Sequence, residues 1–411
     1  MYIDYEKIGE MLGFGKELFY SLKVRQNVNY AKRNQKKVLK ELKNLAYYNV
    51  IFYVYDETKW KAQSVYDLME KDDRFNPLVV VTKNCAPEEN ANYQTADDVK
   101  RCYDFFKNKG MNVEYGYDIK RGSYIPLEKF NPDIIIYSHP WYVYKTQGPV
   151  VCSKFALTYY IPYFLPASEQ WHEYGLRFHQ YIYRHYVPTD LVRDYYSKNM
   201  PNKGHSFRVV GHPVLDNYKI QNDEEKKYII YAPHWTVCGD NLRFGTFKWS
   251  GEKMLEFAKS HPELNWVFRP HPIMYKFILI SGFMQKNEID RYYDEWKSFA
   301  IYSEGEYTDI FKKSYALITD CGSFLTEYFV TGNPVIHMIS DKFTPNKMVS
   351  EIDKTYYTAY DLEELESHLQ KVIIEKQDYK KDERIKLLEK FNLRNGSSAE
   401  KIIKDILSDF V

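Results

Sequence analysis

Along the chain, short runs of β-branched and aromatic residues alternate with longer stretches whose apolar residues recur at helical spacing. That alternation predicts an α/β protein layered on parallel sheets. In the first half, a basic helix from Tyr30 to Ala46 precedes a strand over Asn49–Tyr55, and Pro77–Val81 follows as a second strand. Thr95 to Lys109 reads as a helix, capped by Thr95, with Val99, Cys102, Tyr103 and Phe106 on one face and Gly110 as its stop. Strands over Asn112–Tyr115 and Asp133–Tyr137 complete the run. The cycle restarts with Tyr228–Ala232 and a helix from Gly251 to Ser260. Strands over Trp266–Phe268, Phe299–Tyr302, Ala316–Thr319 and Pro334–Met338 follow. The polar connection from Gly211 to Glu225 predicts a boundary. Two Rossmann-like domains result, 1–215 and 216–384, with a helical segment 385–411 packing back on the first.

In open α/β sheets, ligands bind beyond the carboxyl ends of the strands. Polar residues at those ends are therefore the first candidates for chemistry. Arg269-Pro270-His271-Pro272 follows an apolar strand; its prolines stiffen the backbone and set a permanent cation beside an imidazole. A forked guanidinium matches phosphate oxygens, and a protonated histidine adds charge and a proton for a leaving group. Thr319-Asp320-Cys321-Gly322-Ser323 lies between a strand and a helix, where Gly322 allows a tight turn and Ser323 can cap. Free N–H groups at such a helix start bind phosphate, while an ordinary capped turn explains the same residues. Glu327 then fits a capping box or binds a ligand hydroxyl. In the first half, His172 within Glu169-Gln170-Trp171-His172-Glu173 is a candidate general base on an acceptor hydroxyl. His139 and His212 read mainly as turn residues, and the spacing of His172, His179 and His185 matches no usual metal motif.

Composition narrows the class. With 44% hydrophobic and 27% charged residues the chain is globular, and its 40 tyrosines against 7 tryptophans suit a wet cleft or reflect compositional drift. Lys+Arg 57 against Asp+Glu 56 gives no field that would gather nucleic acid. Five scattered cysteines form neither a disulfide framework nor a zinc site, which fits a reducing cytoplasm. No leader peptide or membrane-length apolar run is evident. The basic residues Lys16, Lys23, Arg25, Lys32, Arg33, Lys36 and Lys37 beside Leu18, Phe19 and Leu22 suit either a peripheral membrane contact or a solvated helix face.

The ordered series Gly211-His212-Pro213, Ala232-Pro233-His234-Trp235, Arg269-Pro270-His271-Pro272 and Ile318-Thr319-Asp320-Cys321-Gly322-Ser323, with Glu327 after it, resembles the CDP-glycerol glycerophosphotransferase family of teichoic acid and capsule synthesis. The resemblance implies a GT-B fold, two Rossmann-like domains facing across a cleft. It implies a CDP-glycerol or CDP-ribitol donor, a polymer or lipid-linked saccharide acceptor and no required cofactor. Arg269, His271, Pro233, Trp235, Asp320, Gly322, Ser323 and Glu327 would line the donor site, with His172 and His271 catalytic. Glu173 and Gly322 depart from the family pattern, which has glycine and serine at those places. A nucleotide-sugar glycosyltransferase on the same fold is the alternative, and a cytoplasmic location, peripheral to the inner face of the membrane, is expected.

Overall fold

Strand-forming runs that are apolar throughout must be covered on both faces, which in α/β proteins means parallel pairing under helices. The computed structural model describes residues 13–43, 45–90, 92–167, 174–200, 202–218, 226–237, 243–393 and 396–410, with only the backbone for residues 13–22 and 199. Trp171, His172, Glu173 and Cys238 lie outside the described residues. The first half holds β1 (Tyr48–Val54), β2 (Phe75–Val81), β3 (Val113–Tyr115), the short ladder of β4 (Tyr117–Asp118) and β5 (Ser123–Tyr124), then β6 (Ile134–Tyr137), β7 (Leu157–Tyr160), β8 (Arg184–Val187) and β9 (Phe207–Val209). Seven of these form one parallel sheet in the order β3-β2-β1-β6-β7-β8-β9. Four helices matter here: α1 (Gly13–Leu42), α2 (Gln63–Glu70), α3 (Ala96–Asn108) and α4 (Asp190–Asn199). Thr95 caps α3 in a full capping box with Asp98.

The basic helix begins earlier than its sequence suggests. Val24, Val28, Ala31, Val38 and Leu42 recur on one face of α1 and are buried, while Lys23, Arg25, Lys32, Arg33, Lys36 and Lys37 point outward. Asn27 and Gln35 fasten this helix to Gln180 and the Tyr181 carbonyl at 3.0 and 3.2 Å.

The second half repeats the scheme with β10 (Tyr228–Ala232), β11 (Asn265–Phe268), β12 (Ile301–Tyr302), β13 (Ser314–Thr319), β14 (Val335–Met338) and β15 (Tyr357–Ala359). Their order is β12-β11-β10-β13-β14-β15, again all parallel. Here α5 (Phe247–Ser260) and the short α6 (Gly322–Glu327) follow strand ends. One buried cluster runs from Ile51, Tyr53 and Tyr137 of the first sheet through Leu215, Tyr218 and Leu325 to Ile230 and Leu317 of the second. The two halves therefore share a continuous inner core. The closing segment divides between them. On α7 (Lys381–Phe391), Leu388 stays with the second half and Arg384 donates to the Gly332 and Thr355 carbonyls at 2.9 and 3.2 Å. By contrast α8 (Ser398–Ser408) returns to the first half, where Ile402, Ile403 and Ile406 join the core under α2. Its start is fixed by Asp216, whose carboxylate accepts the Ser398 and Ala399 N–H groups at 2.9 and 2.8 Å.

Candidate active site across the cleft

In the second sheet, strand order reverses between β10 and β13, the place where such sheets open a crevice. Pro233-His234-Trp235 and Asp320–Ser323 emerge there side by side. Asp320 ties them together: Oδ1 accepts the His234 N–H at 2.6 Å, and Oδ2 accepts the Thr246 N–H at 2.6 Å and its hydroxyl at 2.8 Å. Burial raises the Asp320 pKa against those hydrogen bonds. With both oxygens engaged by the protein, Asp320 braces the crevice from behind.

The expectation that Ser323 caps the next helix, with Glu327 closing a capping box, is corrected. The Phe324 and Leu325 N–H groups both reach the Cys321 carbonyl, at 3.1 and 3.2 Å, so the helix starts at Gly322. Ser323 then sits inside the first turn, and no side chain caps it. Thr319 Oγ1 accepts the Cys321 N–H at 2.9 Å. The Gly322 and Ser323 N–H groups have no acceptor among the described residues. Gly322 also lets neighbours close in. A β-carbon there would stand 2.6 Å from Phe244 Cζ and 3.1 Å from Ala167 Cβ, the latter on the first half.

Arg269 and His271 leave β11 beside this turn. The buried Arg269 guanidinium donates to Ser303 Oγ at 2.7 Å and to the Gly305 carbonyl, and lies 4.7 Å from the Tyr307 ring centre. Burial lowers its pKa, and Tyr307, Glu306, Cys321 and Glu327 oppose the shift. The His271 N–H donates to the Pro233 carbonyl at 3.0 Å, and Nδ1 accepts the Ile273 N–H at 3.4 Å. Nε2 has no partner among the described residues. Burial first, then Lys59, pushes the His271 imidazole down to about 3. Its ring is 5.2 Å from that of His234 and 6.3 Å from that of Trp235. Glu327, 2% exposed, accepts the Tyr307 hydroxyl on Oε2 and keeps Oε1 without a partner among the described residues. Burial raises its pKa, with Lys61, Tyr307 and Arg269 opposing.

The first half reaches into this cluster. Lys61 Nζ donates to Tyr307 Oη at 2.6 Å, so a Lys61–Tyr307–Glu327 chain spans the cleft. Burial lowers the Lys61 pKa, and Glu327 opposes. The first sheet has its own reversal, between β1 and β6, from which Tyr55-Asp56 and Ser138-His139 emerge. Asp56 pairs with Lys59 at 3.3 Å. Burial alone would raise the Asp56 pKa, but Lys59 and Thr58 hold it below the usual carboxylate range. His139 is 1% exposed and its ring lies 3.9 Å from that of Tyr55, yet neither ring nitrogen has a hydrogen-bond partner among the described residues. Burial, then Lys59, pushes it down to about 3, with Asp56 opposing. His212 is a turn residue as its sequence suggests: Nε2 donates to the Pro162 carbonyl at 2.7 Å, and Nδ1 accepts the Val214 N–H at 3.3 Å. His179 Nδ1 and His185 Nε2 lie 3.1 Å apart, and no group of three metal-ligating side chains exists among the described residues. Asp56, Lys59, Lys61, Phe244 and Tyr307 escaped the sequence reading. Asp56 had a signal, since it closely follows a strand.

A family model described as CDP-Glycerol:Poly(glycerophosphate) glycerophosphotransferase matches residues 185–408, more than half of the 411. The chain belongs to this family. As a glycerophosphotransferase family member it is a phosphotransferase-type enzyme, and the match contains every residue expected from the sequence to line a donor site, while the first-half His172 lies before it. Among curated proteins, none matches the chain. Of solved structures, the wall teichoic acid polymerase TagF aligns with a TM-score of 0.55 and 14% identity, covering 97% of this chain and 98% of that one. MnaA from S. aureus, in a co-structure with UDP, aligns at 0.55 and 12% identity over 89% and 98%. UDP-GlcNAc 2-epimerase from Neisseria meningitidis, bound to UDP-GlcNAc, aligns at 0.52 and 16% over 88% and 99%. At these identities the likeness is one of fold, and the fold of this glycerophosphotransferase family member is GT-B.

Proposed function

We propose that the enzyme transfers glycerol phosphate from CDP-glycerol to a hydroxyl of a teichoic acid-like polymer and releases CMP. The observation that carries this reading is the proximity, beside the second sheet's reversal, of groups suited to phosphate that lack partners among the described residues. These are the Gly322 and Ser323 N–H groups and His271 Nε2, with the Arg269 charge fixed behind them. Charge grows on the bridging oxygen as CMP departs, and these groups would stabilise it without rearranging. Glu327 Oε1 would accept a hydroxyl of the transferred polyol, glycerol or ribitol, and Pro233 and Trp235 would flank the donor. No helix among the described residues is long and apolar enough to cross a membrane. The outward basic face of α1 is a surface on which a lipid-linked acceptor could be met, with the enzyme peripheral to an anionic membrane.

The test is to incubate the protein with CDP-glycerol, CDP-ribitol and a panel of nucleotide sugars, each with a glycerol phosphate polymer acceptor, and to identify the nucleotide released. CMP from a CDP-polyol is expected. A nucleoside diphosphate from a sugar nucleotide, with none from either CDP-polyol, assigns a glycosyltransferase instead.

A further inference from the structure

The residues on either side of Lys61 hold the chain to the first half. Trp60 packs edge-on against Phe52 and Phe106 and donates from Nε1 to Gln63 Oε1 at 2.9 Å, and Ala62, just before α2, is buried. Between these anchors Lys61 crosses to the second half. There its Nζ donates to Tyr307 Oη at 2.6 Å, and the Tyr307 hydroxyl donates to Glu327 Oε2. Building on the proposed donor reading, we propose that Lys61 is a positioning residue for the transferred polyol. Acting through Tyr307, it keeps Glu327 a hydroxyl-accepting carboxylate, so the polyol site is complete only where the two halves meet.

Glu327 needs a counter-charge. A carboxylate that is 2% exposed is disfavoured as an anion unless it is paired or hydrogen-bonded, and otherwise takes up a proton. Arg269 is committed elsewhere, to Ser303 Oγ and the Gly305 carbonyl, and lies 4.7 Å from the centre of the Tyr307 ring. Lys61 Nζ is 4.3 Å from the centre of the same ring. Two cations therefore bear on one phenol, and the hydrogen-bonded path to the carboxylate starts at Lys61. The electrostatics agree with the geometry. Burial raises the Glu327 pKa, and Lys61 leads the groups that oppose the shift, ahead of Tyr307 and Arg269. In return, burial lowers the Lys61 pKa, and Glu327 leads the opposition there.

The free oxygen fits the neutral end of the donor. A carboxylate repels a diphosphate, so Glu327 suits hydroxyl groups. Those of the transferred polyol must face the cleft between the halves, where the proposed reaction meets its acceptor. Oε1 has no partner among the described residues, and a hydrogen bond to it is about twice as strong when the carboxyl is ionised. Lys61 thus sets the strength of that bond without touching the donor.

The experiment is calorimetric titration of the full chain with CDP-glycerol and, separately, with CDP, which lacks the polyol. The proteins are wild type, Lys61→Met, Tyr307→Phe, Glu327→Gln and the double variant Lys61→Met/Glu327→Gln, with thermal unfolding of each. We expect Kd for CDP-glycerol to rise about 10–100-fold in every variant, the range for a hydrogen bond to a charged group, while Kd for CDP stays within about threefold. A purely structural role would not separate the two ligands. The double variant should bind no more weakly than the weaker single one, because both substitutions remove one interaction. If Lys61→Met does not fold, Tyr307→Phe decides, since it keeps the ring that packs on Arg269 and Phe311. Equal losses for CDP and CDP-glycerol, unchanged CDP-glycerol binding in Tyr307→Phe, or additive losses in the double variant overturn the proposal alone. A wild type that does not bind CDP-glycerol overturns the donor reading and this proposal together.

Discussion

Phe244 occupies the volume that a side chain at position 322 would need, so the two residues should behave as one energetic unit. A β-carbon on Gly322 would lie 2.6 and 2.7 Å from Phe244 Cζ and Cε1, whereas carbon atoms settle about 3.5–4.0 Å apart. The ring would have to retreat by on the order of 1 Å. It is not free to do so, because His234 and Phe343 pack on it at 5.1 and 5.0 Å between centres. Overpacking of this kind costs about 1–3 kcal/mol, and Gly322→Ala should lose that much stability. Removing the ring alone, Phe244→Ala, should cost about 3–5 kcal/mol. In that background the clash with the ring is gone and only the 3.1 Å approach to Ala167 Cβ remains, so alanine in the first turn of α6 should cost little. Most of the cost of the Gly322 substitution therefore disappears, with a coupling energy of about 1–3 kcal/mol. Urea unfolding of the four proteins in the cycle measures it. Additive effects, or a Gly322→Ala protein as stable as wild type, would refute the packing argument.

Asp320→Asn turns an acceptor oxygen into a donor facing either the His234 or the Thr246 N–H. The expected loss is about 1.5–3 kcal/mol of stability, together with a raised KM for CDP-glycerol, because the same bonds hold the loops flanking the proposed donor crevice. A raised KM at unchanged unfolding midpoint would mean that Asp320 touches the donor directly. His185 is fully buried, and burial pushes its pKa down to about 3 from 6.5. Below pH 6.5 the unfolded chain binds a proton that the folded chain refuses, so this residue's contribution is lost as pH falls from 6.5 toward 3. Between pH 6.5 and 5, wild-type stability should fall about 1.4 kcal/mol per pH unit more steeply than that of His185→Gln. Equal slopes in urea titrations across that window would show that His185 is not held neutral.

Which parts of the fold are legible in the sequence depends on how each strand is buried. β1, β6, β10 and β13 are covered on both faces, so they read as near-continuous apolar runs. β7 and β8 are no less buried, but they are four residues long and rich in Thr, Tyr, Arg and His. Their polar tips are satisfied by Asp405 and Asp409 far along the chain, a partnership with no local signature. Phe299, expected in a strand, ends a helix begun at Lys286, leaving only Ile301–Tyr302 to pair. In the site, Arg269, His271 and Ser323 announce themselves as polar residues at strand ends. His139 occupies an equivalent end, but Ser-His-Pro reads as a turn, and missing hydrogen bonds are visible only in three dimensions. Lys61 carries no sequence signal because its partner Tyr307 belongs to the other half.

The return of α8 to the first sheet also bears on the order in which the protein can be made. Val65, Tyr66 and Met69 on α2 share a core with Ile402, Ile403 and Ile406, and Tyr48 stacks on Phe410 at 4.1 Å. As the chain emerges from the ribosome, the first sheet is synthesised early, yet this face stays uncovered until the whole second half has followed. The half made first is thus sealed last. A chain interrupted before residue 398 would carry an open apolar flank on its first half, where chaperones and proteases would recognise it.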